Sequence, residues 1–378
     1  MFTSLGIRSW RGRFGVSNGM FNLLILSAFL ICFLSWILIL SNYESFNLAG
    51  INNQLFKVSK RFFISGNGSA SSANSNGYYQ YSTNPASSPN AGFSYKSAVA
   101  YQPKDRDDPI YKTLKASLES PTGEDNFFIR VNYNNDVYAG VADGVGGWAS
   151  HGFDSSAISR ELCKAMSQFS ELTNNPKLGV FNEISPKELI NASYNKIKDE
   201  NLVEVGGSTA IVAHFPPTGT MTVANLGDSW CGVFRDYQLV FETKFQTVGF
   251  NAPYQLAIIP EKMAKEAKRT GNSYIENSPS DADEYSFQLA KNDIVILATD
   301  GVTDNIATGD MENFFRDNEM RMKEDLEGVT KEFIKNVVTL SKDPEFPSVF
   351  AQELSRLSGK QYSGGKEDDI TAVVIKVE

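Results

Sequence analysis

The stretch "VYAGVADGVGGW", residues 137–148, decides the fold. A run of small and apolar residues has the pattern of a buried strand, and it runs into Asp143 followed by Gly144, Gly146 and Gly147. One Asp-Gly pair after an apolar run is an ordinary turn signal, because both residues tolerate the backbone angles of a tight turn. The chain repeats the arrangement, however. "MTVANLGDSW" carries an apolar strand into Asp228, and "DIVILATDGVTDN" carries another into Asp300 and Gly301, with Asp304 close behind. "KEDDITAVVIKVE" reverses the order, with Asp368 and Asp369 ahead of the strand, and "GEDNFFIRVN" places Glu124 and Asp125 ahead of another. Five acidic stations at strand ends point to one shared purpose rather than to five separate turns.

Several ionised carboxylates brought together repel, and each tends to hold its proton. A divalent cation between them removes that penalty, and a glycine after Asp143 lets a backbone carbonyl approach the cation as well. The chain has only two histidines, His151 and His214, and three cysteines, with no pair at zinc-ligand spacing. Any metal is therefore expected to be a hard cation held by oxygen: magnesium, manganese or calcium. Two such ions activate a water and stabilise an oxygen displaced in line, which suits phosphoryl hydrolysis.

Strands are expected at 127–132, 136–142, 208–215, 220–227, 230–235, 238–243, 285–290, 293–299 and 370–377. "DSSAISRELCKAMSQFSEL" carries an apolar face at helical spacing, "SPKELINASYNKIKDEN" opens on a capping box, and "EDLEGVTKEFIKNVVTLSKD" is a third helix. Many strands joined by hairpin-length turns, with helices in the long connections, form an α+β pattern of antiparallel sheets. "GVGGW" lacks the spacing and the lysine of a phosphate loop.

The formal charge of −9 argues against nucleic acid as a partner. Cys32, Cys163 and Cys231 make no disulfide framework, which favours a reducing compartment. Residues 1–20 hold Arg8, Arg11 and Arg13 without an acid, as a retained or targeting segment does. Residues 21–40 carry no charge and match a bilayer core in length, so a single transmembrane helix is expected there. Residues 41–92, rich in Ser, Asn and Gly beyond Ser65, are expected to be a flexible linker, and residues 93–378 the catalytic domain. Two placements follow for this single-pass intracellular membrane protein, a mitochondrial membrane or the endoplasmic reticulum and nuclear envelope. Glycosylation of the sequon at Asn67 would mark the luminal case.

The ordered set "VADGVGGW", "GGSTAIVA", "NLGDSW", "ATDGVTDN" and "DDITAVVI" resembles the motif series of the metal-dependent type 2C serine/threonine protein phosphatases, and "DGVGGW" with "GEDN" resembles its mitochondria-associated branch. The resemblance implies a sandwich of two antiparallel sheets flanked by helices, holding two Mn²⁺ or Mg²⁺ ions at one end, with positions for a third. It implies that Asp143 bridges both metals, that Gly144 offers its carbonyl, and that Asp300 and Asp368 are ligands. Glu124 and Asp125 match the acidic pair beside one metal, and Asp228 and Asp304 match positions of the third. Thr209 and Ser208 are expected to support the strand. Asp369 stands where many relatives have asparagine.

Two departures stand out. Val145 stands where many relatives have a histidine proposed as general acid, and the residues just before the acidic pair, "LESPTGEDN", hold no arginine for a substrate phosphate. Arg130 and Arg160 read either as candidates for the second role or as surface charges; His151 reads as an ordinary loop histidine, and a metal-bound water is expected to donate the proton. The expected function is a membrane-tethered phosphatase acting on phosphoserine and phosphothreonine in protein substrates. The competing readings are an anchored scaffold with little turnover and a hydrolase of small phosphate esters; the oligomeric state stays open.

Overall fold

Along 137–143 the side chains alternate between two destinations, and that alternation builds the layers. The computed structural model describes residues 78–81, 92–107, 109–175, 177 and 182–378. The strands are β1 (Tyr78–Tyr81), β2 (Tyr95–Gln102), β3 (Asp125–Val131), β4 (Val137–Asp143), β5 (Gly206–Ser208), β6 (Ala210–Phe215), β7 (Thr220–Leu226), β8 (Trp230–Arg235), β9 (Gln238–Glu242), β10 (Thr247–Gly249), β11 (Ala252–Pro253), β12 (Leu256–Ile258), β13 (Asp283–Gln288), β14 (Ile294–Ala298) and β15 (Ile370–Val377). The helices are α1 (Lys115–Glu119), α2 (Ala157–Leu172), α3 (Pro186–Asp199), α4 (Glu261–Arg269), α5 (Asp300–Thr303), α6 (Thr308–Asp317), α7 (Glu319–Glu324), α8 (Leu326–Ser341) and α9 (Val349–Ser358).

One sheet has the order β1-β13-β7-β6-β4-β3 and the other β2-β15-β14-β8-β9. Every pairing in them is antiparallel except that of β1 with β13. Val137, Ala139 and Val141 face inward and pack with Val233, Val295, Leu297, Val373 and Ile375 of the second sheet. Tyr138 and Ala142 face the other way, against Ile158, Leu162 and Met166 of α2 and Leu189 and Ile197 of α3. On the far side Phe234, Ile296 and Val374 pack against Phe315 of α6 and Phe333 and Val337 of α8. The result is four layers, helices outside two sheets, in agreement with the expected α+β sandwich. The capping box at the start of α3 is present, with Ser185 and Glu188 bonding each other's backbone N–H.

One part of the expected fold class is corrected. Among the described residues no helix is long and apolar enough to cross a membrane. The described helices are amphipathic layer helices: α8 buries Val329, Phe333 and Val337 on one face and exposes Glu327, Lys331 and Lys335 on another. Among the described residues the fold is the α+β sandwich with no membrane-crossing helix, and the segment 21–40, to which that helix was assigned, lies outside them. Asn67 lies outside them too.

Strand β2 was not expected. Its sequence, "YKSAVAYQ", buries only Ala98 and Ala100 and lacks the long apolar run that marks β14. It forms because β15 offers an edge that pairs along all eight of its residues, from Gln102↔Ile370 to Tyr95↔Val377. That pairing delivers the chain after Gln102 to the acidic end of the sandwich.

Candidate metal centre

Antiparallel strands bring alternate ends to one edge, and the acidic stations alternate accordingly. Asp125 begins β3 and Asp143 ends β4, and the two are paired directly across the ladder. Asp228 follows β7 and precedes β8, Asp300 follows β14, and Asp368 and Asp369 precede β15. Ala298 pairs with both Trp230 and Ala372, so these three stations also share an edge. The two sheets are tied there by Thr299, whose hydroxyl donates to Asp125 Oδ2 at 2.8 Å and accepts the Thr371 N–H at 3.1 Å.

Asp143 and Asp125 form the middle of the cluster. The Asp143 N–H donates to Thr209 Oγ1 at 3.0 Å, and that hydroxyl lies 2.8 Å from Ser229 Oγ. Ser208 donates to the Thr209 carbonyl at 2.8 Å, so both hydroxyls act on the backbone of the strand. Gly144 is required by close approach: a Cβ there would lie 2.4 Å from the Ser155 carbonyl oxygen and 2.6 Å from that of Glu124. Burial, and then the neighbouring carboxylates of Asp300, Asp125, Asp368 and Asp228, push the Asp143 carboxyl well above the usual range. Burial and Asp369 do the same to Asp125, and burial, Asp300 and Asp304 to Asp228.

Two lobes flank this middle, each holding a lysine. On one side Lys104 Nζ lies 2.6 Å from Glu124 Oε2, 2.9 Å from Asp368 Oδ1 and 3.6 Å from Asp369 Oδ2. The other Glu124 oxygen accepts from Ser155 Oγ at 2.6 Å and Tyr111 Oη at 3.1 Å. On the other side Lys366 Nζ lies 2.6 Å from Asp300 Oδ2, 2.5 Å from Asp304 Oδ2 and 3.2 Å from Asp368 Oδ2. Burial alone would lower both ammonium groups, but the carboxylates around them outweigh it and hold both well above the usual lysine range. Asp368, shared by the two lobes, is pulled up by burial and held below the carboxylate range by Lys104 and Lys366. Asp304, with a smaller share of that help, is pushed up to about 7 by burial and Asp300.

Asp369 acquires a definite task. It accepts the backbone N–H of Lys104 at 2.9 Å and of Glu124 at 3.0 Å, and the Arg106 guanidinium at 3.0 and 3.2 Å. It thus pins the segment after β2 against the start of β3. Gly123 sits at φ +78 with its Cβ position 1.9 Å from Asp369 Oδ1, so no side chain fits at that crossing.

All eight candidate residues, Glu124, Asp125, Asp143, Gly144, Asp228, Asp300, Asp304 and Asp368, therefore lie at this end of the sandwich. Their donor set is oxygen throughout, as a hard cation requires. Asp125 Oδ1, Asp228 Oδ1 and Asp300 Oδ1 are buried without a hydrogen-bond partner, which is the condition a cation would relieve. Among the described residues no three acidic, histidine or cysteine groups stand close enough to hold a metal as they are. The two lysines lie between them, and their side chains have to withdraw for metal ligation.

The histidine and arginine candidates lie elsewhere. His214 is opposite Tyr138 and stacked on it, five residues back along β4 from Asp143, about 17 Å at the usual strand rise. His151 is exposed, with Nδ1 3.1 Å from the Gly147 carbonyl oxygen. Arg130 reaches Ser167 and Glu171, and Arg160 reaches Asp154 and Glu161. Sequence reasoning missed Lys104 and Lys366. Lys366 stood inside the quoted "KEDDITAVVIKVE", beside the acids that drew attention; Lys104 is placed only by the unexpected strand β2.

Known proteins resemble this chain in sequence and in fold. A family profile described as Stage II sporulation protein E (SpoIIE) matches residues 134–378. The chain is 61% identical over 332 residues to "Protein phosphatase 2C homolog 7, mitochondrial" of Saccharomyces cerevisiae, covering 88% of this chain and 95% of that one. It is 34% identical over 259 residues to "Protein phosphatase PTC7 homolog fig" of Drosophila ananassae, covering 68% of this chain and 74% of that one. In fold it is similar to the crystal structure of the photosystem II phosphatase PBCP, with a TM-score of 0.57 and 24% identity over 75% of this chain and 99% of that one.

Proposed function

The chain belongs to the protein phosphatase 2C family and is a metal-dependent serine/threonine phosphatase, and we propose that its centre holds two Mn²⁺ or Mg²⁺ ions between the carboxylates at the end of the sandwich. The observation that supports this most is the set of three buried carboxylate oxygens without partners, on Asp125, Asp228 and Asp300. Asp143, Asp300, Asp368 and Glu124 would hold the two ions, with the Gly144 carbonyl beside them and Asp125 behind them. Asp228 and Asp304 would serve a third. When bound, the ions supply an activated water and charge stabilisation for in-line displacement at phosphorus. The residues do the rest. Asp143, backed by the Thr209–Ser229 hydroxyl pair, keeps its carboxylate at the centre; Asp369 and Arg106 hold the Glu124 loop in place. Crowding at Asp143 and Asp228 is what makes a divalent cation favourable there and a hydrophobic ligand unfavourable.

The substrates proposed are phosphoserine and phosphothreonine in proteins, and the catalytic domain is proposed to span residues 93–378. Manganese is expected to raise the melting temperature of the full chain and to switch on phosphate release from phosphopeptides in preference to small phosphate esters. A chain that neither gains stability nor releases phosphate with manganese or magnesium does not hold this centre. Mitochondrial residence is also proposed, supported by the name of the yeast relative and by Arg8, Arg11 and Arg13 without an acid among residues 1–20. Recovery of the tagged full chain outside the mitochondrial fraction would overturn it.

A further inference from the structure

A phosphate monoester is a dianion, and the cluster it has to approach is built of carboxylates. Beside the proposed metal ions, a cation of the protein at the mouth of the site would offset that charge. The described residues offer three near the cluster: Lys104, Arg106 and Lys366. Arg106 is buried and its two terminal nitrogens are engaged in structure, while its Nε has no partner. Its side chain is 5% exposed, its guanidinium is divided between the Ser117 carbonyl at 2.6 Å and both oxygens of Asp369, and it lies over the Tyr111 ring. Lys366 is 16% exposed and is enclosed by three carboxylates and the Phe350 ring. Lys104 differs from both. Its backbone is fixed by the N–H bond to Asp369, yet its side chain is 23% exposed, the most of the three, and carries three donors on a flexible four-carbon stem.

Its two close partners, Glu124 and Asp368, are both in the proposed ligand set, as Asp300 and Asp368 beside Lys366 are, so the greater exposure is what singles out Lys104. We infer that Lys104 is the residue that binds the substrate's phosphate group, contributing one charge-assisted hydrogen bond to a non-bridging phosphate oxygen. Its anchored backbone and mobile ammonium allow it to stay at the mouth while its charge passes from the carboxylates to the incoming anion. This assignment rests on the phosphatase reading above, and it deepens that reading by naming the phosphate-binding residue.

The test compares full-length wild type, Lys104→Met, Lys104→Arg and, as a surface control, Lys342→Met, whose ammonium pairs with Asp105 at 2.9 Å on the exterior. Three quantities are measured in each: manganese affinity, affinity of the manganese-loaded protein for inorganic phosphate, and KM and kcat on a phosphoserine peptide. Lys104→Met is expected to weaken phosphate binding about tenfold or more, the range of one hydrogen bond to a charged group. Its KM should rise by a similar factor with a smaller change in kcat, and its manganese affinity should be no weaker. Lys104→Arg should recover most of the loss, and Lys342→Met should behave as wild type. Phosphate affinity within twofold of wild type in Lys104→Met overturns the assignment. So does a loss of phosphate affinity that only follows a loss of manganese. Wild type without manganese-dependent hydrolysis would sink the phosphatase reading instead, while phosphate binding lost in Lys104→Met and kept in Lys104→Arg would still assign the anion to Lys104.

Discussion

Asp136 and Asp143 stand at the two ends of one strand, seven residues apart, and their surroundings are opposite. Asp136 is surrounded by donors. Its Oδ2 accepts from Asn132 Nδ2 at 2.7 Å and Asn174 Nδ2 at 3.3 Å, and His214 Nε2 lies 3.8 Å away. Burial pulls its carboxyl up, but the nearby His214 ring and the Asn132 and Asn174 amides outweigh burial and hold it below the usual range. Asp143 is surrounded by other acids and is pushed the other way. One end of β4 has been completed by the chain itself. The other is left with a crowd of like charges, which is what the proposed cations would offset. A buried acid is thus read by its neighbours: donors mark structure, and acids without donors mark a site.

The sharpest way to break this contrast is to neutralise each acid in turn. Asp143→Asn is expected to lower turnover more than about 10³-fold, beyond the usual 10²–10³ for loss of one preorganised stabilising group. In chelator the same variant should melt higher than wild type, because it removes a carboxylate from a crowd of like charges. Manganese should raise the melting temperature of wild type and not of the variant. Phosphopeptide turnover within tenfold of wild type at full metal occupancy would remove Asp143 from the centre.

Asp136→Ala should do the reverse. It removes the acceptor of the buried Asn132 and Asn174 amides, at a cost of about 1–3 kcal/mol. The melting temperature should fall by roughly 2–4 °C per kcal/mol, while activity per folded molecule stays within about twofold. The pH dependence has a definite sign. A carboxyl whose folded pKa is depressed stabilises the fold above its unfolded pKa, near 3.9, and that contribution is lost as pH falls through the folded value. The gap between wild type and Asp136→Ala should therefore be full at neutral pH and close below about pH 4. A gap that stays constant with pH would mean that the carboxylate's charge plays no part.

The same contrast separates what the sequence made legible from what it concealed. The stations at 124–125, 143, 228, 300 and 368 could be read because each sits where an apolar run meets an acid, and antiparallel pairing does the rest. The strands flanking them were expected within a residue or two for the same reason. What stayed hidden depends on partners far along the chain. Strand β2 has two buried alanines and needs β15, about 270 residues later, to exist. Lys104 and Arg106 reach Glu124 and Asp369 only because β2 delivers them there. A lysine in "QPKDRDD" reads as a solvated turn; no local pattern marks it as facing a carboxylate at the other end of the chain. Asp136 was hidden differently, as the first residue of the expected strand 136–142, because its distinction comes from Asn174 and His214 rather than from its own neighbours.

The smallest effect expected belongs to His151. Expelling the serine alkoxide from phosphoserine needs a proton, whereas an aryl phosphate expels a stabilised phenoxide and needs it far less. A general acid contributes about 10²–10⁴-fold to the first and little to the second. Val145 has no proton to give, and His214 is about 17 Å from Asp143 by strand rise and closes the Asp136 network. His151 is the remaining imidazole, and it is occupied locally. Its Nδ1 lies 3.1 Å from the Gly147 carbonyl oxygen and 3.2 Å from Ser150 Oγ, and its ring leans on Trp148 at 6.2 Å. It is exposed, and none of its close partners belongs to the acidic end of β4. The proton for the leaving group is therefore expected to come from water, and His151→Ala should keep phosphoserine-peptide turnover within about tenfold of wild type, below the usual general-acid effect. The decisive quantity is the ratio of peptide to aryl-phosphate rates. If His151→Ala lowers the peptide rate a hundredfold and spares the aryl phosphate, His151 is the acid, and the site extends beyond the carboxylate end of the sandwich onto the exposed turn after Trp148.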